Sequence, residues 1–345
     1  MEVVKRKIAL FNVTDIVDHN PGCRATVQGL KEALGVNLMN QFPLGFAYSF
    51  FNESNLWFHK NTFEKSYNLF KNDKNILILL KYLDVVIINA EGTIHSNSIG
   101  AKTLLAFIRL SKELGKKVYV VNGSFYNLKP SLLKILSCSD VLYVREVESY
   151  QYLLKNNINA ELVLDCAFLT DFIKTRSIEN KEGCIFTPGV IFNHNTYKTE
   201  EELKNLIKLQ FKEIKKKYTT PVYLKIEARE TKYADLWIEL GGEVVDATKI
   251  LIKDLLDILD QFELIISGRY HILLFGLMLN SKLIPLESNT PKILGLLRSF
   301  NESNNYLIQD ILNNKLNLNN HYHFDISVNQ VKNKILSSYS KLFEE

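Results

Sequence analysis

The residues best suited to chemistry sit together at Ser267-Gly268-Arg269-Tyr270-His271, between the apolar run LIIS and the apolar run ILLFGL. The run of apolar residues reads as a buried strand, and Gly268 permits a tight passage into a helix. A helix N-terminus presents unbonded N–H groups and the positive end of the helix dipole, which together suit an anion. Arg269 adds a planar fork matched to carboxylate or phosphate, and His271 a donor able to move a proton near neutral pH. A purely structural reading stands beside this one: Arg269 paired with an acidic neighbour, and His271 satisfied in the core.

Other candidates occupy equivalent positions, just after apolar runs. In NAEGTIHSNS, Glu91 is placed to act as a base or to hold a sugar hydroxyl, and His95 follows four residues on, with Thr93 or Ser96 as the cap of the next helix. In VNGSFYN, Asn122 and Ser124 can hydrogen-bond a polyol. Arg145 closes DVLYVRE, where Glu146 and Glu148 offer it salt bridges. In DHNPGCRAT, Asn20 and Gly22 precede a helix, but this short turn is no GxGxxG fingerprint. In PLESNTPKILGL, Ser288 and Asn289 lie between strand and helix, and Lys292 falls in the helix's first turn, where its charge opposes the dipole unless an anion is near.

These positions acquire meaning from the elements around them. Short β-branched runs (7–13, 84–90, 116–124, 140–146, 160–166) alternate with helical patterns (23–34, 100–115, 129–139, 146–157). A polar stretch, KTRSIENKEG at 174–183, reads as a linker. The alternation restarts with strands at 184–190, 221–228, 242–247, 262–268 and 281–287, and helices at 199–218, 253–262, 270–280 and 291–300. Thr199 is the expected N-cap of the long helix, and 327–345 reads as one amphipathic helix. Such alternation implies two doubly wound α/β domains with parallel sheets, whose ligands lie beyond the carboxyl ends of the strands. The expected division is 1–176, 183–325 and a C-terminal helix at 326–345.

Bulk properties narrow the classes. With 345 residues, two domains fit at roughly 100–200 residues each. The net charge of +4, from 42 basic and 38 acidic residues, is too balanced for a nucleic-acid partner. Four scattered cysteines give neither a metal spacing nor a disulfide framework, and suggest a reducing compartment. No run approaches the ~18 apolar residues of a membrane span. The expectation is a cytoplasmic protein, at most in peripheral contact with the inner face of a membrane, and a possible homo-oligomer.

In order along residues 8–300, the segments NAEGTIH, VNGSFYN, DVLYVREVESYQYL, LDCAF and ISGRYHILLFGL…KLIPLESNTPKILGL resemble the polysaccharide pyruvyl transferase family. The last block is the most specific, and its Arg-x-His core is the family's hallmark. Ala90 stands where the family often has glycine, and FTPGVIFNH departs from the family's more polar pattern. The resemblance implies a GT-B-like fold, two Rossmann-like domains facing across a cleft. It also implies transfer of a pyruvyl group from phosphoenolpyruvate to two sugar hydroxyls, giving a ketal in surface-polysaccharide biosynthesis, on a glycan or lipid-linked sugar acceptor.

By this resemblance Arg269 and His271 match the family's donor-binding pair, and Arg145 a further family arginine. The implied donor site is Arg145, Gly268, Arg269, His271, Ser288, Asn289 and Lys292. The acceptor side is Asn20, Gly22, Thr93, Asn122 and Ser124, with Glu91 or His95 as base. No metal or cofactor is required beyond phosphoenolpyruvate as donor substrate. The alternative is a GT-B glycosyltransferase clamping a nucleotide-sugar diphosphate near Arg269 and Lys292.

Overall fold

A computed structural model describes residues 6–14, 20–35, 38–43, 62–172, 177–190, 198–302 and 304–344. Its contacts divide the chain into two units, residues 1–17, 30–165 and 334–345 in the first, and 18–29 and 166–333 in the second.

The first unit carries a parallel sheet in the order β2-β1-β3-β4-β5-β6. Its strands are β1 (Ile8–Val13), β2 (Leu38–Pro43), β3 (Val85–Asn89), β4 (Lys117–Gly123), β5 (Val141–Val144) and β6 (Glu161–Leu162). β1 and β3 are buried along their whole length, the signature of a sheet covered on both faces. The helices are α1 (Pro21–Leu34), whose first turns belong to the second unit, α2 (Thr62–Asn72), α3 (Lys74–Tyr82), α4 (Ile99–Glu113), α5 (Pro130–Leu136) and α6 (Val147–Lys155).

The second unit is a parallel sheet in the order β11-β10-β7-β8-β9. It contains β7 (Cys184–Thr187), β8 (Val222–Lys225), β9 (Glu243–Asp246), β10 (Leu264–Ser267) and β11 (Lys282–Pro285). Its helices are α7 (Glu200–Lys215), α8 (Thr231–Glu239), α9 (Ile252–Leu259), α10 (Tyr270–Met278) and α11 (Lys292–Arg298), and α12 (Val328–Ser340) begins in it. Thr199 caps α7 in a full capping box with Glu202, and three glutamates fill the first turn, where the dipole favours them. Trp237 of α8 stacks on Phe186 at 5.1 Å and meets Phe211 edge-on at 4.9 Å, fixing α8 and α7 over β7.

Both units thus show the expected alternation, with differences at the boundaries. The first turns of α1 group with the second unit, the end of α12 with the first, and residues 166–172 with the second. The polar stretch expected as a linker is partly built into the second unit. Lys181 is fully buried, 2.7 Å from Asp260, and donates to the Leu279 carbonyl at 2.6 Å. Residues 174–176 of that stretch lie outside the described residues. Among the described residues, no helix is long and apolar enough to cross a membrane.

Candidate functional site

In the second unit the carboxyl ends of β7, β10 and β11 lie side by side, with Thr187 opposite Ser267 and Ser267 opposite Pro285. Gly268 follows at the crowded centre. A Cβ there would stand 2.8 Å from the Glu287 carbonyl oxygen and 2.9 Å from that of Pro188. Its own N–H donates to the Thr187 carbonyl at 3.3 Å. Gly268 therefore serves close backbone packing, and the anion-binding amide expected of it is committed to the sheet.

The Arg269 N–H donates to Ser267 Oγ at 2.9 Å, which sets the first turn of α10. The Arg269 side chain departs from the expected anion clamp. It is buried, its Nη1 donates to Glu227 Oε1 at 2.6 Å, and its Nη2 donates to Glu230 Oε1. Glu230 is itself wholly buried and takes the Ile226 N–H on its other oxygen at 2.7 Å. Burial acts to raise the Glu227 carboxyl, but the Arg269 and Arg229 charges outweigh it and hold the group below its ordinary value. The fork is thus spent on two carboxylates, a consequence of the sequence KIEARE ending β8 beside α10.

His271 occupies the second position of α10 and lies against the start of α1. A Cβ on Gly22 would fall 2.1 Å from His271 Nδ1 and 2.5 Å from His271 Cβ. His271 Nε2 is 3.0 Å from Thr26 Oγ1, one turn further along α1. Asn20 caps α1, its side-chain oxygen accepting from the Gly22 N–H at 2.9 Å. Asn20 and Gly22, expected on the acceptor side, instead build the seat of the imidazole. The N-termini of two helices, one of 14 residues and one of 9, therefore meet at His271, and both positive dipole ends converge there.

After β11, Asn289 Oδ1 accepts from Lys292 Nζ at 2.9 Å and Ser288 Oγ at 3.3 Å, so these three expected residues do come together. Beside them, burial and the nearby Asp310 push the Glu287 carboxyl above its ordinary value.

The first unit gathers a second polar cluster at its strand ends. Asn12, Glu91 and Asn122, at the ends of the adjacent strands β1, β3 and β4, all have left-handed backbones (φ 63°, 39° and 56°). Such conformations are uncommon for residues other than glycine, and runs of them concentrate at functional sites. Glu91 is buried, and its Oε1 accepts from Thr14 Oγ1 and Asn89 Nδ2, each at 2.7 Å. Asn12 Nδ2 approaches Thr93 Oγ1 at 3.5 Å. The Glu91 carbonyl takes the Ser124 N–H at 2.7 Å.

Arg145 is buried and donates from Nε to Ser124 Oγ at 2.8 Å and from Nη1 to Asp165 at 2.9 Å. Its partner is Asp165, and Glu146 instead caps α6 through the Ser149 N–H. His95 lies on the turn that follows, paired with Tyr126 across an isolated bridge. The cap of α4 is Ser98, which accepts from the Ala101 N–H, and not Thr93 or Ser96.

Thr14, Thr26, Asn12, Asn89, Asp165, Glu227 and Glu230 escaped the sequence reading. Asn12 and Asn89 carried a signal, each a lone amide in an apolar strand. The acids carried none, because their partners lie 20 to 42 residues away in sequence. Among the described residues no group of three or more His, Cys, Asp or Glu is placed to hold a metal.

Solved structures share this fold at low identity. The UDP-N-acetylglucosamine 2-epimerase of Rickettsia bellii is 11% identical over 98% of this chain and 96% of its own, with a TM-score of 0.53. A co-structure of S. aureus MnaA with UDP gives 13%, 99%, 88% and 0.55 for the same quantities. The UDP-GlcNAc 2-epimerase of Methanocaldococcus jannaschii, solved with UDP-GlcNAc and UDP, gives 14%, 84%, 86% and 0.52. These likenesses establish a GT-B-like α/β fold of two Rossmann-like units and nothing more specific. No curated protein matches the sequence at a significant level. The family model for polysaccharide pyruvyl transferase, however, matches residues 44–290, more than half of the chain and inclusive of both polar clusters' strand ends from β3 to β11. The chain belongs to the polysaccharide pyruvyl transferase family and is a transferase.

Proposed function

We propose that the protein moves a pyruvyl group from phosphoenolpyruvate to two hydroxyls of a sugar, forming a pyruvate ketal on a surface glycan or its lipid-linked precursor. The observation that carries the donor half is His271, held where two helix N-termini meet. Phosphoenolpyruvate is an enol phosphate with a carboxylate, so it needs a cationic or dipolar seat and one proton donor. The converging helix dipoles supply the first and the imidazole the second. Lys292, with Ser288 and Asn289, adds a cation on the neighbouring loop.

The methylene carbon takes a proton, proposed to come from His271, and becomes the methyl group. One sugar hydroxyl adds to the resulting cationic carbon and gives up its proton to a base. Inorganic phosphate leaves, and the second hydroxyl closes the ketal, its proton going to the departing phosphate or to the base. Arg269 acts through His271: its two ion pairs fix the first turn of α10 and so orient the imidazole. Arg145 does the same for the first unit, tying Ser124 to Asp165. As proposed, the chemistry uses no metal and the protein works on the cytoplasmic side.

The test is turnover. Purified protein, phosphoenolpyruvate and the lipid-linked glycan fraction of the source cell should release phosphate and yield a glycan heavier by one pyruvate ketal in mass spectra. Absence of the ketal overturns the proposal, and sugar transfer from UDP-sugars in the same mixture replaces it with glycosyl transfer.

A further inference from the structure

We infer that Thr26 is a positioning residue: it holds Nε2 of His271, so that Nδ1 is the nitrogen turned to the phosphoenolpyruvate donor. The role of Nδ1 rests on the function proposed above; the grip on Nε2 does not.

Thr26 lies inside α1, one turn after Gly22, and is fully buried. Its Oγ1 is 3.0 Å from His271 Nε2. Each imidazole nitrogen has one in-plane position for a hydrogen bond, through its hydrogen or its lone pair. Nε2 spends that position on Thr26, a group that solvent does not reach. His271 itself is half-buried, so part of it stays within reach of a ligand. Nδ1 lies against Gly22, where a Cβ would overlap it. Glycine at that place keeps a side chain off Nδ1.

The direction of the bond follows from the task. An imidazole with a proton to give carries hydrogens on both nitrogens, so Nε2 donates and Thr26 Oγ1 accepts. A threonine inside a helix can accept there, because its own hydrogen can go to a carbonyl three or four residues back. The proton handed over then leaves Nδ1 as the new C–H bond forms, and the ring keeps the hydrogen shared with Thr26.

Two further contacts make the hydroxyl a fixed point. Arg24 donates from Nη1 to the Ile250 carbonyl at 2.9 Å and from Nη2 to the Ala247 carbonyl at 3.0 Å. Gly29, on the turn after Thr26, packs on the Cys166 carbonyl with no room for a Cβ. The start of α1 is therefore pinned on both sides of Thr26 to the unit that carries His271. Threonine is a weaker helix former than alanine, and the bond to His271 gives its hydroxyl a use at this buried position.

The test pairs two measurements on the full chain as wild type, Thr26→Ser and Thr26→Val. One is a nitrogen–hydrogen spectrum of histidine-labelled protein, with His271→Ala to identify the signal. The other is calorimetric titration of phosphoenolpyruvate. The His271 hydrogen should appear on Nε2, in slow exchange with water, in wild type and Thr26→Ser, and be lost to fast exchange in Thr26→Val. Phosphoenolpyruvate should bind Thr26→Val about tenfold more weakly than wild type, and Thr26→Ser within about threefold of wild type. A slowly exchanging hydrogen on Nδ1 instead, none on either nitrogen, or wild-type phosphoenolpyruvate binding by Thr26→Val overturns the inference. The wild-type spectrum needs no change at Thr26, so it decides the grip on Nε2 even where Thr26→Val does not fold. Absence of phosphoenolpyruvate binding to wild type overturns the proposed donor, and the spectrum still decides which nitrogen Thr26 holds.

Discussion

Gly22→Ala separates the seat of His271 from everything else the chain does. The added Cβ falls 2.1 Å from Nδ1, 2.4 Å from Cγ and 2.5 Å from Cβ of His271. Carbon contacts settle near 3.5–4.0 Å, so the two groups must separate by on the order of 1 Å. Because the His271 Cβ is itself too close, a change of rotamer cannot relieve the clash, and α1 must move against α10. Overpacking of this kind costs about 1–3 kcal/mol. Alanine returns up to about 1 kcal/mol over glycine in a helix. The net loss is therefore about 0–2 kcal/mol, which at roughly 2–4 °C per kcal/mol lowers the melting point by less than about 8 °C. Function should suffer far more, since a displacement of about 1 Å in a positioned group costs on the order of a hundredfold. The assay is phosphoenolpyruvate binding and melting point measured together, with Val27→Ala as the control. Val27 is buried on the same helix, and its truncation costs about 1–2 kcal/mol without a clash at His271. Wild-type binding of phosphoenolpyruvate by Gly22→Ala, or an equal loss of binding in Val27→Ala, would show that this seat does not position His271 for the donor.

Other expectations follow from the ion pairs. Glu230→Ala strands the buried Arg269 charge and should cost about 3–5 kcal/mol in urea unfolding, more than Glu227→Ala, whose side chain is 18% exposed. Arg145→Ala should be comparably damaging because Asp165 is left buried and charged, and adding Asp165→Ala should restore part of the loss in a double-mutant cycle. The folded Glu227 carboxyl lies below its unfolded value, so its contribution is fully present above about pH 4.3 and is lost as pH falls through the folded value; Glu227→Gln should flatten stability against pH in that acid range. Glu287 has the opposite sign, its folded value being raised, so its ionised form opposes folding at neutral pH. Glu287→Gln should raise the melting point at pH 7 and leave it unchanged well below pH 4.

The fold was legible because its strands are continuous apolar runs bounded by turns, as VVIIN and LIIS show. Thr199 with Glu202 gave an explicit helix start. Helices α2, α3 and α8 carry no clear signal in the sequence. TFEKSYNLFKN is strongly polar, and α8 follows β8 after only a single 3-10 turn at Ala228–Glu230, within a sequence, KIEARE, that offers no stop signal. The site was legible as positions and not as partners. A residue after an apolar strand must lie at the sheet's carboxyl edge, and so His271, Glu91, Asn122 and Arg145 were placed there. What each touches depends on contacts between distant segments, such as Arg269 with Glu227 and His271 with Gly22, and local spacing contains no trace of them. Arg269 illustrates the limit: residue type promised an anion clamp, but a carboxylate pair from β8 had already taken its fork.

The most direct measurement is a calorimetric titration of phosphoenolpyruvate, with UDP-sugars as the comparison, into wild type and His271→Ala. Phosphoenolpyruvate should bind saturably to the wild type and not to His271→Ala, which should stay folded, and the UDP-sugars should not bind. Saturable binding of a UDP-sugar with none of phosphoenolpyruvate, or phosphoenolpyruvate binding indifferent to His271, would contradict it.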